Sequence, residues 1–224
     1  MIQTLPRVIA EPPGKPAPNG RAKLQQLARQ IATHPAAWNA GLTAVVRELF
    51  DQLAAVWDTE HATGRTDFLT DALARGGPWP SGTCLELGSG TGQYTPVLSG
   101  TFNRVIALNL AREMLTRAPA HPAARIQADA ARLPLADASI SAVACVDVLL
   151  FAREITRVLA AGGVLIWANQ LACDGPLFLD TATVITALNS ADGGNDGGAE
   201  DGWSAVQAEA GWGNWAVLRR TGRP

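Results

Sequence analysis

The run Thr83-Cys-Leu-Glu-Leu-Gly-Ser-Gly-Thr-Gly92 limits what this chain can become more than any other segment. A short apolar stretch carries one acid, Glu86, and opens at once into Gly88, Gly90 and Gly92. Glycine has no Cβ, so the backbone can turn sharply there and a ligand can lie directly against it. The N–H groups at the start of the following helix then point at whatever polar group the ligand brings. Strand, glycine turn and helix start together predict a loop that holds a cofactor. A tight turn with no ligand is the alternative reading of Gly88 and Gly90.

From Thr83 onward strands and helices alternate. Strands are predicted over Thr83–Leu87, Arg104–Leu108, Arg125–Gln127, Ile140–Val148 and Val164–Ala168. Helices are predicted around Tyr94–Leu98, over Ala111–Ala118, and on the face Phe151, Ile155, Val158, Leu159. Repeated units of this kind imply a doubly wound, mostly parallel sheet. Farther on, Thr181–Leu188 reads as a helix and 192–198 as a polar, glycine-rich flexible loop. Trp203–Glu209 and Trp215–Arg219 lie too close together for a parallel crossover, so they must pair antiparallel. The expected fold is therefore α/β: a seven-stranded sheet with an antiparallel C-terminal hairpin.

The first eighty residues read differently. Residues 1–20 carry Pro6, Pro12, Pro13, Pro16 and Pro18 without an apolar signal-like core, and are expected to be a flexible arm. Residues 21–80 form a helical region, expected to act as a lid over the 81–220 domain. Its longest apolar stripe, Leu42, Val45, Val46, Leu49, Phe50, Leu53, Val56 and Trp57, holds one helical face and is expected to anchor that lid. Trp57 is assigned to core packing on this stripe, with cofactor covering as its other reading.

Composition excludes several functions. With 224 residues, 47% hydrophobic and 17% charged, the chain suits one α/β domain with an appendage. No apolar stretch is long enough for a bilayer, so no membrane partner is expected. A net charge of −2 and scattered basic residues provide no face for phosphate backbones, so nucleic acid is not an expected partner. Cys84, Cys145 and Cys173 show no metal-ligand spacing, so no metal is expected, and a reducing cytoplasm is. His34 and His121, each before a proline, read as surface turn residues.

Four segments in order resemble class I S-adenosylmethionine (SAM)-dependent methyltransferases, particularly small-molecule enzymes of the quinone-biosynthesis type. They are Glu86-Leu-Gly-Ser-Gly-Thr-Gly92, Val105 to Leu115, Ala128-Asp-Ala-Ala-Arg-Leu-Pro-Leu-Ala-Asp-Ala-Ser139, and Glu154-Ile-Thr-Arg-Val-Leu-Ala-Ala-Gly-Gly163. The resemblance implies SAM as cofactor. It places Glu86, Gly88, Ser89 and Gly90 at the methionine portion, Asn109 and Leu110 at the ribose, and Asp129 and Ala130 at the adenine. Asp147, ending the fourth strand, would face the same crevice. A dinucleotide site is disfavoured, because the third glycine comes one residue early and Gln93 stands in its place.

Two departures accompany the resemblance. Asn109 stands where relatives carry an acid that accepts from both ribose hydroxyls. An amide offers one acceptor and one donor group, so SAM is expected to bind less tightly. The connection Val148-Leu-Leu-Phe-Ala-Arg153 is shorter than in relatives, and no catalytic residue is carried over. Asp147, His61 and Tyr94 are candidate bases, with a solvated role the plainer reading of His61. The expected function is methyl transfer to an oxygen, nitrogen or carbon nucleophile of a small-molecule substrate. Its rivals are a SAM-binding scaffold without transfer activity and non-methylating SAM chemistry.

Overall fold

The computed structural model describes residues 1–17, 21–61, 64–192 and 202–221, without the side chain of His61. Its strands are β1 (Ile2–Thr4), β2 (Thr83–Leu87), β3 (Arg104–Asn109), β4 (Ala124–Gln127), β5 (Ile140–Val146), β6 (Leu159–Asn169), β7 (Gly202–Ala210) and β8 (Gly213–Thr221). Its helices are α1 (Arg21–Thr33), α2 (Ala40–Leu53), α3 (Asp67–Arg75), α4 (Thr95–Ser99), α5 (Arg112–Arg117), α6 (Ala152–Val158) and α7 (Thr181–Ala191). The strands form one sheet in the order β1-β7-β8-β6-β5-β2-β3-β4. Only β8 runs against its neighbours, pairing antiparallel with β6 and β7.

Among the described residues the sheet has eight strands, not seven, and the added one corrects the reading of a flexible arm. Ile2, Gln3 and Thr4 pair in parallel with Ala205, Val206 and Gln207 at the edge of the hairpin. The strand is exposed along its length, so no buried alternation marks it in the sequence. Backbone pairing at a free sheet edge orders it instead. From residue 193 the expected polar loop lies outside the described residues.

Apolar side chains fill both faces. Strands β2, β5 and β6 are buried almost throughout, as central parallel strands covered on both sides should be. One face carries Leu85, Val143, Leu165 and Trp167 with Ile31, Ile155 and Leu188. The other carries Cys84, Ala144, Ile166 and Trp215 with Phe68, Leu69 and Leu98. Asp71, buried on α3, accepts from the Trp215 indole at 2.7 Å and from Arg75 Nε at 2.8 Å, fastening α3 to β8.

Strand order reverses beside β2: the chain runs from β2 to β3 and β4 on one side, then crosses to β5 and β6 on the other. The loops after β2 and β5 therefore diverge, leaving a crevice at their carboxyl ends. Glu86, the glycine turn and Asp147 all lie there.

Candidate active site

The glycine turn is shaped by its surroundings. Gly88 has φ +70°, and a Cβ at that residue would come 2.8 Å from Val148 Cγ2, so both conformation and space demand glycine. The Ser89 N–H donates to the Leu108 carbonyl at 3.0 Å, joining the turn to β3. A Cβ on Gly90 would meet only Trp57 Nε1, at 3.7 Å. Trp57 thus reaches the turn while its ring stands edge-on to Phe50. Trp57 therefore packs on the small cluster of Ala54, Ala111 and Met114, as its stripe predicts, and also lies over the turn.

Glu86 is 2% exposed. Its Oε2 accepts from Thr95 Oγ1 at 2.5 Å, while Oε1 is buried without a hydrogen-bond partner among the described residues. Burial pushes the carboxyl up to about 7, against the opposing effect of the Thr95 hydroxyl. Ser89 Oγ, at the same turn, is also buried without such a partner. Thr95 gave no sequence signal beyond its place at the start of α4.

At the end of β3, Asn109 Oδ1 accepts from the Ala111 N–H at 2.9 Å, and the Leu110 carbonyl accepts from Gln127 Nε2 at 3.3 Å. Half of the Asn109 acceptor capacity is therefore used locally. Asp51 of α2 caps α5 by accepting from the Glu113 N–H at 2.9 Å. Asp129 accepts from the Ala131 N–H at 2.9 Å, and from the Trp38 indole at 3.1 Å on Oδ1 and 3.0 Å on Oδ2. Ala130 packs half-buried against the core. Trp38, which the sequence reading missed, also stands edge-on to Phe151.

The Glu154-x-x-Arg157 segment holds the Asp129 loop and does not enter the crevice. Glu154 Oε2 accepts from the Leu133 N–H at 2.6 Å, and Arg157 donates to the Leu133 and Leu135 carbonyls and to Asp137. The Arg157 guanidinium keeps the Glu154 carboxyl below its ordinary range.

Across the crevice, Asp147 follows β5 at φ +46°, a left-handed conformation that Asp tolerates better than most residues. Its Oδ2 accepts from the Gln170 N–H at 3.2 Å, and Oδ1 is buried without a partner among the described residues. Desolvation pushes this carboxyl up to about 6. The Tyr94 hydroxyl is likewise buried and unpartnered, and its phenol is raised by burial and then by the charges of Asp147, Glu86 and Asp67. Asn169, 0% exposed at the end of β6, has both amide atoms without a partner. A polar residue ending the apolar run Val164–Ala168 was its only sequence signal. The backbone of His61 ends the π-helix Trp57–His61, and its side chain lies outside the described residues.

N-terminal segments cover this end of the sheet. Thr91 Oγ1 donates to Asp58 at 2.5 Å, fixing the π-helix on the glycine turn. Lys15 and Arg21 pair with Asp174, and Gln25 donates to the Cys173 and Gly175 carbonyls. The stripe on α2 does not anchor as a whole. Val45 is 64% and Leu49 45% exposed, while Phe50, Leu53 and Trp57 pack on Ala111 and Met114. The helix stops at Leu53, and the chain then tightens into the π-helix, so the stripe does not continue on one face.

Residues 85–167 match the family model described as a methyltransferase domain. Among solved structures, DhpI complexed with S-adenosylhomocysteine (SAH) is similar with a TM-score of 0.63 and 23% identity, over 83% of this chain and 100% of that one. DhpI complexed with SAM and HEP is similar with a TM-score of 0.59 and 22% identity, over 81% and 99%. A chain of the Haloferax volcanii complex containing the Trm112 methyltransferase activator gives a TM-score of 0.62 and 17% identity, over 80% and 99%. No curated protein matches the sequence. Residues 85–167 thus resemble a methyltransferase domain, and the chain shares its fold with structures solved with SAH or with SAM as the cofactor.

The residues present fit that cofactor. Glu86 Oε1 and Ser89 Oγ are buried acceptors in need of a donor, and SAM brings an ammonium group. The open side of Gly90 leaves room for a ligand to approach the backbone. Asp129 and Asn109 lie at the ends of adjacent segments, where the adenosine half would extend.

Proposed function

We propose that this protein transfers the methyl group of SAM to an oxygen, nitrogen or carbon nucleophile of a small-molecule acceptor. The observation that carries the reading is the pair of unpartnered buried atoms, Glu86 Oε1 and Ser89 Oγ, at a glycine turn on the sheet's switch point. When bound, SAM supplies an electrophilic methyl on a sulfonium.

The chain's own residues do the rest by positioning. Glu86 would hold the ammonium, Gly88 to Gly90 the methionine backbone, Asn109 and Leu110 the ribose, and Asp129 and Ala130 the adenine. Trp57 and the π-helix behind it would restrict water at the turn. Holding a nucleophile in line supplies much of such a rate, so a strong base is needed only for an acceptor that arrives protonated. Asp147 and Tyr94 are the proposed groups to receive that proton, supported by their buried, unpartnered oxygens. His61 stays a candidate on its position alone.

Residues 1–20 and 21–80 are proposed as arm and lid for the 81–220 domain. Among the described residues no helix is long and apolar enough to cross a membrane. The three cysteines are free, which supports a reducing cytoplasm as the proposed compartment.

One observation favours the scaffold reading: Asn109 and Asp129 already accept hydrogen bonds from Ala111 and Trp38. Incubation with methyl-labelled SAM and a metabolite extract decides. Label in a small product supports transfer, and SAM binding without labelled product supports the scaffold.

A further inference from the structure

Past β1 the N-terminal arm continues along the C-terminal hairpin and closes on its turn. The Leu5 N–H donates to the Gln207 carbonyl at 2.8 Å, and the Gly211 N–H to the Ile9 carbonyl at 3.1 Å. Arg7 donates to the Gly211 carbonyl at 2.7 Å and pairs with Glu209. The Trp212 indole donates to the Pro12 carbonyl at 2.7 Å. Gly211 and Trp212 are the two residues between β7 and β8, so the arm holds the whole hairpin turn.

That turn packs on the start of α3. Gly211 has φ +56°, and a Cβ there would overlap the Asp67 carboxylate. A Cβ on Gly213 would come 2.8 Å from Phe68 Cγ. The Arg65 guanidinium pairs with Asp67 and lies over the Trp212 ring, 4.8 Å from its centroid. From here two contacts lead to the cofactor loop. The Arg65 carbonyl accepts from Gln93 Nε2 at 3.2 Å, and the buried Phe68 ring stands edge-on to Tyr94 at 5.7 Å. Gln93 and Tyr94 directly follow Gly92.

We propose that Arg65 and Trp212 are positioning residues for the glycine loop, and that the N-terminal arm sets cofactor affinity through them. The proposal rests on the cofactor reading above and adds to it a segment from the far edge of the sheet. A loop with three glycines has little stiffness of its own, because each glycine leaves many backbone conformations open. Neighbours must impose its shape, and Gln93 is held where the loop ends. The Arg65 carbonyl can hold Gln93 only while Arg65 is itself fixed, and Asp67 and the Trp212 ring fix its guanidinium. Loosening the arm loosens Trp212, then Arg65, then Gln93. Such coupling is reciprocal, so whatever the arm adds to cofactor binding the cofactor must return to the arm.

The test uses the full-length protein, with SAH as probe and calorimetry well below the melting temperature. Trp212→Leu removes the ring over Arg65 and the donor to Pro12, and should weaken SAH roughly five- to thirtyfold. Trp212→Phe keeps a ring over Arg65 and should recover most of that loss. Arg7→Ala loosens the arm at an exposed residue and should weaken SAH about three- to tenfold. In the wild type, saturating SAH should slow exchange of the Gly211 amide, the one bonded to Ile9, by about threefold or more. Gln93→Leu should lose most of that slowing while still binding SAH. Variants at Trp212 and Arg7 that melt lower but bind SAH as the wild type does would make these contacts structural only and overturn the proposal. Gly211 exchange that does not respond to SAH overturns it equally. Failure of the wild type to bind SAH overturns the underlying cofactor reading instead, and this proposal with it.

Discussion

The indole N–H of Trp38 donates to both carboxylate oxygens of Asp129, at 3.1 and 3.0 Å. Asp129 is also the residue proposed to receive the adenine amino group. Trp38 therefore holds the N-terminal region on the Asp129 loop by the same carboxylate. Trp38→Phe keeps the aromatic contact with Phe151 but frees the carboxylate. It should bind SAH about three- to tenfold more tightly, the worth of one recovered hydrogen bond. In the wild type, SAH should change tryptophan fluorescence, and the Trp38→Phe protein should lose much of that change. Unchanged affinity would mean that the remaining lone pair of Asp129 Oδ2 already suffices.

Glu86 should make both stability and cofactor binding depend on pH. Its folded value is raised from 4.5 to about 7, so the native state holds the proton more tightly than the unfolded chain. This contribution is fully present below pH 4.5 and is lost as pH rises toward 7, by about 3 kcal/mol in total. The wild type should lose stability relative to Glu86→Gln over that window in denaturant titrations. SAH binding needs the charged carboxylate, so affinity should rise over the same range and protons should be released on binding. Parallel stability curves for the two proteins would show that Glu86 stays ionised throughout.

Asn109→Asp restores a carboxylate where only one acceptor oxygen now stands, with Ala111 already using part of it. SAH and SAM should bind roughly tenfold more tightly to the variant, in keeping with a gain of one to two hydrogen bonds to the ribose. Tighter binding by the wild type would show that the amide N–H₂ is the better partner for the diol.

Asp71→Ala should destabilise without touching the site. It leaves the buried Trp215 indole and the Arg75 guanidinium without their acceptor. A loss of about 3 kcal/mol is expected in urea unfolding, with SAH affinity of the folded protein unchanged. A loss below about 1 kcal/mol would place this contact among ordinary surface ion pairs.

Much of the site was legible because its parts are local. The need for glycine at Gly88 comes from a positive φ and a close neighbour, and a glycine turn after an apolar run shows that pattern directly. Glu154 and Arg157 act on the Asp129 loop through one helical turn and the strand that follows it, so their short motifs carried the right association. What could not be read was contact at long separation. Trp38 and Asp129 are 91 residues apart, and no spacing relates them. Trp57 packs on Ala54, Ala111 and Met114 as its stripe predicts, but its reach to Gly90 was not legible, because a stripe does not record where a helix ends. Strand β1 was invisible because three exposed residues have no burial pattern to betray them.

The sequence by itself determined the alternation of strands and helices, the glycine turn and the antiparallel hairpin. Each depends on residue periodicity, allowed φ values or loop length, which are properties of short segments. Tertiary structure alone decided that Asp147 and Asn169 meet beside Gly175, that Trp38 reaches Asp129, and that Trp57 reaches the glycine turn. Strand order sets which strand ends lie side by side, and that order follows from the packing of the whole sheet.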